Sequence, residues 1–212
     1  MNYEMNGEPP RANACVAIIM AAGYSRRFGL QDKRSAPSTG EQTLLAATLA
    51  RAQQAFALLR VVLREDDDPH ALGLAATTPI IRASRAERGL GASIGDGIAV
   101  LGRDSELADV AAAAVLLGDM PAISPATLRR LQDHADAATI LRPSHAGRPG
   151  HPVLFGRELW PELASLDGDQ GAREVIRRHR DRYREIAVED GGVCRDIDTP
   201  AELEGFMVQA RR

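Results

Sequence analysis

The sequence predicts one α/β domain built on a doubly wound, mostly parallel sheet with helices on both faces. Two continuous apolar runs of strand length, CVAIIMA at 15–21 and VAAAAVLLG at 110–118, contain no alternation of polar residues. Such runs are typical of strands that are covered on both faces, as in a parallel sheet. Segments with helical periodicity alternate with further strand-length runs along the chain, and this alternation predicts the fold class.

The first half of the chain begins with the first apolar run, which ends in a glycine turn. Apolar residues then recur at helical spacing over 43–56, and LLRVVLRE at 58–65 predicts a second strand. A short helix near 69–76 and a strand at 79–83 are expected next. GASIGDGIAVLG at 91–102 is expected to open another helix.

The second apolar run is rich in alanine and would also allow a helix, but the residues after it favour a strand. Ser124 followed by Pro125 is an N-cap with proline at the first helical position, so a new helix begins there. Thr199, Pro200 and Glu202 combine a cap, a first-turn proline and a capping-box acid for the last helix. The remaining predicted elements are strands at 138–144, 151–155 and 183–188, and helices at 157–164, 171–180 and 199–210.

The sequence contains no internal repeat and no segment that resembles a domain linker. The alternation of strands and helices therefore predicts a single Rossmann-like domain over 14–212. Residues 1–13 are polar and contain proline, and we expect them to form a flexible leader rather than a signal sequence. No apolar run approaches the length of a membrane span, so a cytoplasmic protein without a membrane partner is expected.

The composition narrows the classes of function. Of the 212 residues, 44% are hydrophobic and 26% charged, as in a soluble protein with a core. The aromatic content of 4% and the net charge of -3 argue against a nucleic-acid partner. Cys15 and Cys194 have no metal-thiolate spacing, and a disulfide between them is not favoured.

The glycine turn after the first predicted strand is followed by a cluster of cations. Gly23 permits a tight turn, Ser25 adds a hydroxyl, and Arg26, Arg27 and Lys33 add positive charge. Turn amides and guanidinium groups together form a cradle for phosphate oxygens. The spacing is neither a dinucleotide fingerprint, nor a Walker A loop, nor a nucleophile elbow. An ordinary turn with solvated arginines is the alternative.

Two acidic segments are expected at the same edge of the sheet. Asp119 follows the buried strand at 110–118, where a rigid strand end could hold a hard cation such as Mg²⁺. Asp196 and Asp198 alternate in an extended segment, so both could face one side and complete that site. The alternatives are that Asp119 serves only the turn and that Asp198 or Thr199 caps the last helix.

Several motifs along the chain together resemble a known family. They are AAGYSRRFG with Lys33, GLGASIGDG at 89–97, GDMP at 118–121, GRPGHPVLF at 147–155, GDQGAR at 168–173 and DIDTPAEL at 196–203. Their order and chemistry resemble the MobA-like nucleotidyltransferases over about residues 15–208, and within them the MocA-like molybdenum cofactor cytidylyltransferases. The resemblance implies transfer of a nucleoside monophosphate from an NTP to an acceptor phosphate, with release of pyrophosphate.

The same resemblance implies roles for individual residues. Arg26, Arg27, Lys33 and Asp119 would be catalytic, and Mg²⁺ would be held by Asp119 with Asp198 or, less favoured, Asp196. The residues implied to bind the nucleotide are Ala21, Ala22, Gly23, Ser25, Gly89, Gly91 and Ser93. Those implied on the acceptor side are His151, Asp169 and Arg173. The partners implied are CTP, a phosphorylated acceptor such as molybdopterin, and maturation proteins of molybdoenzymes.

Two features bear on the choice of substrate. Ala21-Ala22-Gly23 resembles the cytidylyltransferase branch, whereas the guanylyltransferase branch has AGG at this turn, so CTP is expected. After Lys33 the family commonly continues with leucines, but this chain continues RSAPSTGEQ. The acceptor therefore stays open. The alternatives are a guanylyltransferase, another NTP transferase and a non-catalytic binder of nucleotide or cofactor. The absence of the dinucleotide-binding glycine fingerprint argues against a Rossmann oxidoreductase.

Overall fold

A computed structural model describes residues 15–25, 28, 32–38 and 42–210, so the predicted leader lies outside the described residues. Within these residues, eight strands form one sheet: β1 (Cys15–Met20), β2 (Leu58–Arg64), β3 (Ile80–Ala83), β4 (Ala112–Leu117), β5 (Ile140–His145), β6 (Arg148–Pro149), β7 (Val153–Gly156) and β8 (Tyr183–Ala187). The α-helices of the described segments are α1 (Leu44–Gln53), α2 (Leu90–Leu101), α3 (Pro125–Gln132), α4 (Trp160–Ala164), α5 (Arg173–Arg178) and α6 (Pro200–Ala210).

The strand order is β3-β2-β1-β4-β7-β5-β6, with β8 paired to β5. The first four strands in this order are mutually parallel, and β8 is parallel to β5. Strand β7 runs antiparallel to both β4 and β5. Strand β6 also pairs antiparallel with β5. The expected doubly wound, mostly parallel sheet is confirmed, and β6 and β7 are the described strands that depart from parallel order.

Helices cover both faces of the sheet, as expected from the continuous apolar strands. On one face, α1 and α3 contribute Leu45, Leu49 and Leu128 to a cluster with Ile19 of β1. On the other face, apolar residues of α2, α4 and α5 pack with Ile18 of the same strand. Adjacent β1 residues thus serve opposite layers, because side chains alternate along a strand.

The predicted caps fix the beginnings of the helices. The Ser124 hydroxyl accepts from Ala126 N at 3.3 Å, with proline in the first turn of α3. At α6, Thr199 N donates to the Glu202 carboxylate at 2.8 Å, and Glu202 N donates back to the Thr199 hydroxyl at 3.3 Å. This is the reciprocal arrangement of a capping box, and it confirms the sequence signal.

The prediction of a short helix near 69–76 is wrong. This segment forms consecutive turns, in which Leu72 N donates to Pro69 O at 3.2 Å and Gly73 N to His70 O at 2.9 Å. Gly73 has a φ of 75°, in the left-handed region that ends a helix. The helices expected at 157–164 and 171–180 are also shorter, at Trp160–Ala164 and Arg173–Arg178, with a 3₁₀ turn at Arg157–Leu159 before the first.

No disulfide joins Cys15 and Cys194 in the structure. Burial raises the pKa of Cys15 to about 11, which keeps this thiol protonated. None of the helices in the described part of the chain is long and apolar enough to cross a membrane.

Candidate active site

A cavity of about 680 Å³ opens at the carboxyl ends of β1 and β4, where ligands bind in open α/β sheets. It brings together most of the predicted site residues from segments that are far apart in the chain. From the predicted set it is lined by Ala21, Ala22, Gly23, Ser25, Lys33, Gly89, Ser93, Asp119, Asp169, Asp196 and Asp198.

The turn after β1 forms one wall of this cavity. Ala21 N donates to Val62 O at 2.9 Å, which ties the turn to β2, and Ala21 and Ala22 are buried. A Cβ added at Gly23 would meet no atom within 4 Å. Ser25 has a φ of 50°, and its carbonyl accepts from Phe28 N at 2.9 Å. The predicted Arg26 and Arg27 lie outside the described residues.

Lys33 reaches across the cavity floor to two acidic segments. Its Nζ lies 2.5 Å from Asp119 Oδ2, 2.9 Å from Asp198 Oδ1 and 3.2 Å from the carbonyl oxygen of Ile197. Burial by itself lowers the pKa of Lys33, but Asp119 and Asp198 outweigh it and hold the pKa above its usual value. Lys33 is therefore a fixed cation at neutral pH, and it draws the ends of two distant segments together.

Asp119 follows the buried strand β4, and its two carboxylate oxygens differ in environment. Oδ2 accepts from Lys33, whereas Oδ1 is buried and has no hydrogen-bond partner among the described residues. Burial raises the pKa of Asp119 above the usual carboxyl range, and Lys33 opposes this without cancelling it. A buried, unpartnered carboxylate oxygen loses its hydration without compensation, so a bound cation or a hydrogen-bond donor of a ligand would stabilise it.

The residues fit a divalent cation that is only partly held by protein. Asp119 Oδ1 supplies one hard oxygen ligand, and Ile197 N donates to Asp119 O at 3.1 Å, which sets the 196–198 segment beside it. Within the described ranges, no three acidic, histidine or cysteine side chains converge into a complete metal site. Mg²⁺ commonly keeps waters and takes substrate phosphates beside one or two carboxylates, so this donor set suits it.

The two candidate partners of Asp119 have different surroundings. Asp198 is engaged with Lys33, and its backbone N–H donates to Glu202 at 2.9 Å. Asp196 lines both the first cavity and a second one next to it. Asp196 also contributes to the raised pKa of Asp119 through charge repulsion. Asp196 thus lies at the junction between the cavities, whereas Asp198 supports the lysine.

The glycines before and within α2 serve close packing. A Cβ at Gly89, where φ is 115°, would lie 2.6 Å from Asp169 Cα, and one at Gly91 would lie 2.7 Å from Asp167 O. The N–H of Gly91 donates to Gly168 O at 2.8 Å, so this amide is already used. Gly91 is not among the residues lining the cavity. The Ser93 hydroxyl donates back to Gly89 O at 3.1 Å.

A second cavity of about 460 Å³ adjoins the first and shares Leu90, Leu117 and Asp196 with it. The predicted His151 and Arg173 line this cavity, together with Arg142 and Arg148. The predicted acceptor-side residue Asp169 lines the first cavity instead, opposite Gly89.

His151 lies in the wall of the second cavity. Its Nδ1 is buried without a hydrogen-bond partner among the described residues. Burial lowers the pKa of His151 to about 4, and the positive charge of Arg142 acts in the same direction. The imidazole is therefore neutral at pH 7. A neutral ring nitrogen without a proton accepts a hydrogen bond but cannot serve as an acid.

Three arginines that sequence analysis did not single out contribute to the site. Arg142 and Arg148 line the second cavity, where Arg142 Nε donates to Gly150 O at 2.6 Å. Arg34 borders the first cavity and is 96% buried, with a relative exposure of 4%. The departure from leucine after Lys33 was the only sequence signal for Arg34, and nothing local distinguishes Arg142 and Arg148 from surface arginines.

Comparison with known proteins identifies the relatives of this arrangement. The protein-family model of the MobA-like NTP transferase domain matches residues 17–183. The purine catabolism protein PucB of Bacillus subtilis (strain 168) is 27% identical over 209 residues, which cover 92% of this chain and 96% of PucB.

Solved structures show the same fold at higher identity. Rv0371c from Mycobacterium tuberculosis H37Rv is 32% identical, with a TM-score of 0.78 over 92% of this chain and 98% of that chain. A second structure of Rv0371c is a complex with manganese, with 30% identity and a TM-score of 0.74 over the same shares.

Proposed function

Because this chain belongs to the MobA-like NTP transferase family, a family of nucleotidyltransferases, we propose that it transfers CMP from CTP to a phosphorylated small-molecule acceptor. The acceptor proposed is molybdopterin or a similar cofactor, and pyrophosphate is released. The observation that carries the proposal is the Asp119 carboxylate at the carboxyl edge of the sheet. Its Oδ1 is buried and has no hydrogen-bond partner among the described residues, and its Oδ2 lies 2.5 Å from Lys33 Nζ. Carboxylates with a perturbed pKa cluster at catalytic sites, which favours an enzyme over a protein that only binds nucleotide.

The first cavity is the proposed nucleotide site. The turn at 22–25 would offer backbone amides to the triphosphate, and Lys33 supplies a fixed positive charge. Arg26 and Arg27 are proposed to hold the triphosphate on the strength of the resemblance. Asp119 Oδ1 and Asp198 or Asp196 would hold Mg²⁺, which when bound neutralises phosphate oxygens. The manganese complex of the related Rv0371c supports a divalent ion of this kind.

The second cavity is the proposed acceptor site. Arg142, Arg148 and Arg173 give it a positive lining that suits a phosphate monoester. His151 Nδ1 is suited to accept a hydrogen bond from an N–H or O–H group of the acceptor. Because Asp196 lies where the two cavities meet, a phosphate held in the second can approach the α-phosphorus of a nucleotide held in the first.

The reaction needs no general base from the protein. An oxygen of the acceptor phosphate is already anionic, and it forms the new bond to the α-phosphorus of CTP. The bond between that phosphorus and the oxygen bridging to the β-phosphate breaks, and the electron pair leaves with pyrophosphate. The protein's contribution would be orientation of the substrates and stabilisation of the charge on the leaving group, and Lys33 would take part in the latter.

The nucleotide preference rests on the resemblance of Ala21-Ala22-Gly23 to the cytidylyltransferase branch. Pyrophosphate release is measured with CTP, GTP, ATP and UTP, each with Mg²⁺ or Mn²⁺ and with or without a molybdopterin acceptor. Release with CTP that requires the acceptor supports the proposal, whereas release with GTP moves the chain to the guanylyltransferase branch.

The Lys33→Met variant provides the matched control, because it removes the cation and keeps the length of the side chain. Binding of nucleotide without release under any condition would contradict transfer to this acceptor class. It would favour another acceptor or the non-catalytic binder. A pull-down of molybdoenzyme maturation proteins tests the further partners.

A further inference from the structure

The structure assigns Arg34 a role as the positioning residue of the nucleotide cavity: it ties the loop after β1 to the loop after β2 at the carboxyl ends of these strands and neutralises two aspartates beside the proposed triphosphate site. This inference rests on the proposed function, since the ligand concerned is the nucleotide of that reaction. Arg34 replaces the leucine common in the family after Lys33, so the assignment also accounts for that departure.

All the hydrogen-bond donors of the Arg34 guanidinium are used within the protein. Nε lies 2.9 and 3.0 Å from the two oxygens of Asp32, and Nη2 lies 2.5 Å from Asp32 Oδ2. Nη1 and Nη2 lie 2.5 and 2.8 Å from the two oxygens of Asp67. Nη1 also donates to Ala21 O at 2.6 Å. A guanidinium has five N–H groups, so none is left for a substrate, and Arg34 acts by positioning.

The three partners lie in two loops, one between β1 and α1 and the other after β2. Ala21 begins the turn after β1, and Asp32 caps the 3₁₀ turn Lys33–Ser35 by accepting from Arg34 N at 3.0 Å. Asp67 lies in the loop after β2, where it also accepts from Arg64 Nη2 at 2.6 Å and Arg64 N at 2.9 Å. A leucine could fill the same space but could not hold a carbonyl and two carboxylates.

The position of Lys33 depends on this arrangement. Lys33 precedes Arg34 in the same 3₁₀ turn, and its ammonium must reach Asp119, which is 86 residues away in the sequence. Arg34 is anchored on the β2 side of that turn and Lys33 on the β4 side. Fixing the turn at both ends holds the lysine at the triphosphate without help from the ligand, which is preorganisation.

Charge gives Arg34 a second role. The guanidinium partners lower the pKa of Asp67 to about 2 and that of Asp32 below its usual value, although burial acts in the opposite direction. Both carboxylates are therefore ionised beside the cavity, and the positive charges of Arg34 and Arg64 neutralise their two negative charges. Without Arg34, one uncompensated negative charge would remain near the site of a tetra-anionic nucleotide.

The test compares Arg34→Met with the control Arg60→Met, which removes a guanidinium from β2 by the same substitution. Arg60 pairs with Asp104 at 2.8 Å and does not line either cavity. Affinity for CTP with Mg²⁺ is measured by calorimetry well below the melting temperature of each variant. Amide hydrogen exchange of the peptides covering 21–25 and 32–38 is followed without ligand.

We expect Arg34→Met to weaken CTP binding 10- to 100-fold and to accelerate exchange in both peptides, and Arg60→Met to change neither. In Arg34→Met the carboxylate left without a close partner is Asp32, because Arg64 lies 2.6 Å from Asp67 but 3.4 Å from Asp32. The double variant Arg34→Met/Asp32→Asn removes that charge and is expected to recover the melting temperature while CTP affinity stays at least 10-fold reduced. A purely structural role would restore both together.

Unchanged exchange in Arg34→Met overturns the inference, whether or not nucleotide binds. Unchanged CTP affinity, where the wild type binds CTP, also overturns it. If the wild type binds no nucleotide, the proposed function fails, and the exchange experiment alone decides whether Arg34 holds the turn.

Discussion

Gly91→Ala tests whether the glycines before and within α2 serve packing rather than contact with a nucleotide base. Gly91 lies in the first turn of α2, where a Cβ would be 2.7 Å from Asp167 O and 2.9 Å from Gly168 O. Both atoms belong to the backbone, so no side-chain rotation relieves the contact. The N–H of Gly91 holds Gly168 O at 2.8 Å, which keeps the two segments together.

Two opposing effects set the magnitude. Alanine is a better helix former than glycine by about 0.8–1.0 kcal/mol, which favours the variant. Overpacking a close contact costs about 1–3 kcal/mol, and displacement of a backbone segment belongs at the upper end of that range. The net loss is about 1–2 kcal/mol in the free energy of unfolding. For a chain of this size that lowers the melting temperature by roughly 2–8 °C.

Gly23→Ala is the matched control, because a Cβ there meets no atom within 4 Å while the residue lines the same cavity. Thermal unfolding by circular dichroism and CTP affinity by calorimetry are measured for both variants. We expect Gly23→Ala to keep its stability within about 0.5 kcal/mol. Its methyl group would occupy space in the proposed triphosphate site, so its CTP affinity is expected to fall.

A melting temperature of Gly91→Ala equal to or above that of the wild type would refute this reasoning. Alanine would then show its ordinary helical advantage, and the 167–168 backbone would not be pressed against α2. Loss of stability in Gly23→Ala would equally contradict the open space found around that residue.

Four further variants test the acidic groups of the site. Asp119→Asn is expected to reduce pyrophosphate release by a factor on the order of 10²–10³, as loss of one charge-stabilising group does. Burial raises the pKa of Asp119, so removing its charge should not lower the melting temperature at pH 7. A large fall in the melting temperature would contradict this. Asp198→Asn should weaken CTP binding, because Asp198 holds Lys33. Asp196→Asn should change both CTP binding and the KM of the acceptor, because Asp196 lines both cavities. Identical steady-state kinetics of the two variants would contradict their separate positions. The pKa of Asp67, about 2, lies below its unfolded value, so its stabilisation is present above about pH 4 and is lost as the pH falls through 2. The difference in unfolding free energy between wild type and Asp67→Asn, measured in urea, should therefore shrink between pH 4 and 2, and a constant difference would argue against the ion pair.

Local patterns in the sequence were sufficient for the fold class, for every described strand except β6, and for most helix beginnings. Continuous apolar runs predicted β1 and β4, and the Ser124-Pro125 and Thr199–Glu202 signals predicted α3 and α6, because periodicity and capping involve residues within a few positions of each other. The cavity edge also followed from the sequence, since parallel strands end on the same side of a sheet. Turn chemistry at Pro69 and Gly73 was the local signal that the predicted helix at 69–76 overlooked.

Tertiary structure alone decided which charged groups meet. The sequence predicted Lys33, Asp119 and Asp198 as site residues, but their separations of 86 and 165 positions along the chain leave their ion pairs undetermined until the sheet is assembled. The burial of Arg34 among Asp32, Asp67 and Ala21 O is of the same kind, because a polar loop residue carries no local mark of its partners. Periodicity and caps are encoded by neighbours in the chain, whereas desolvation and charge pairing depend on neighbours in space.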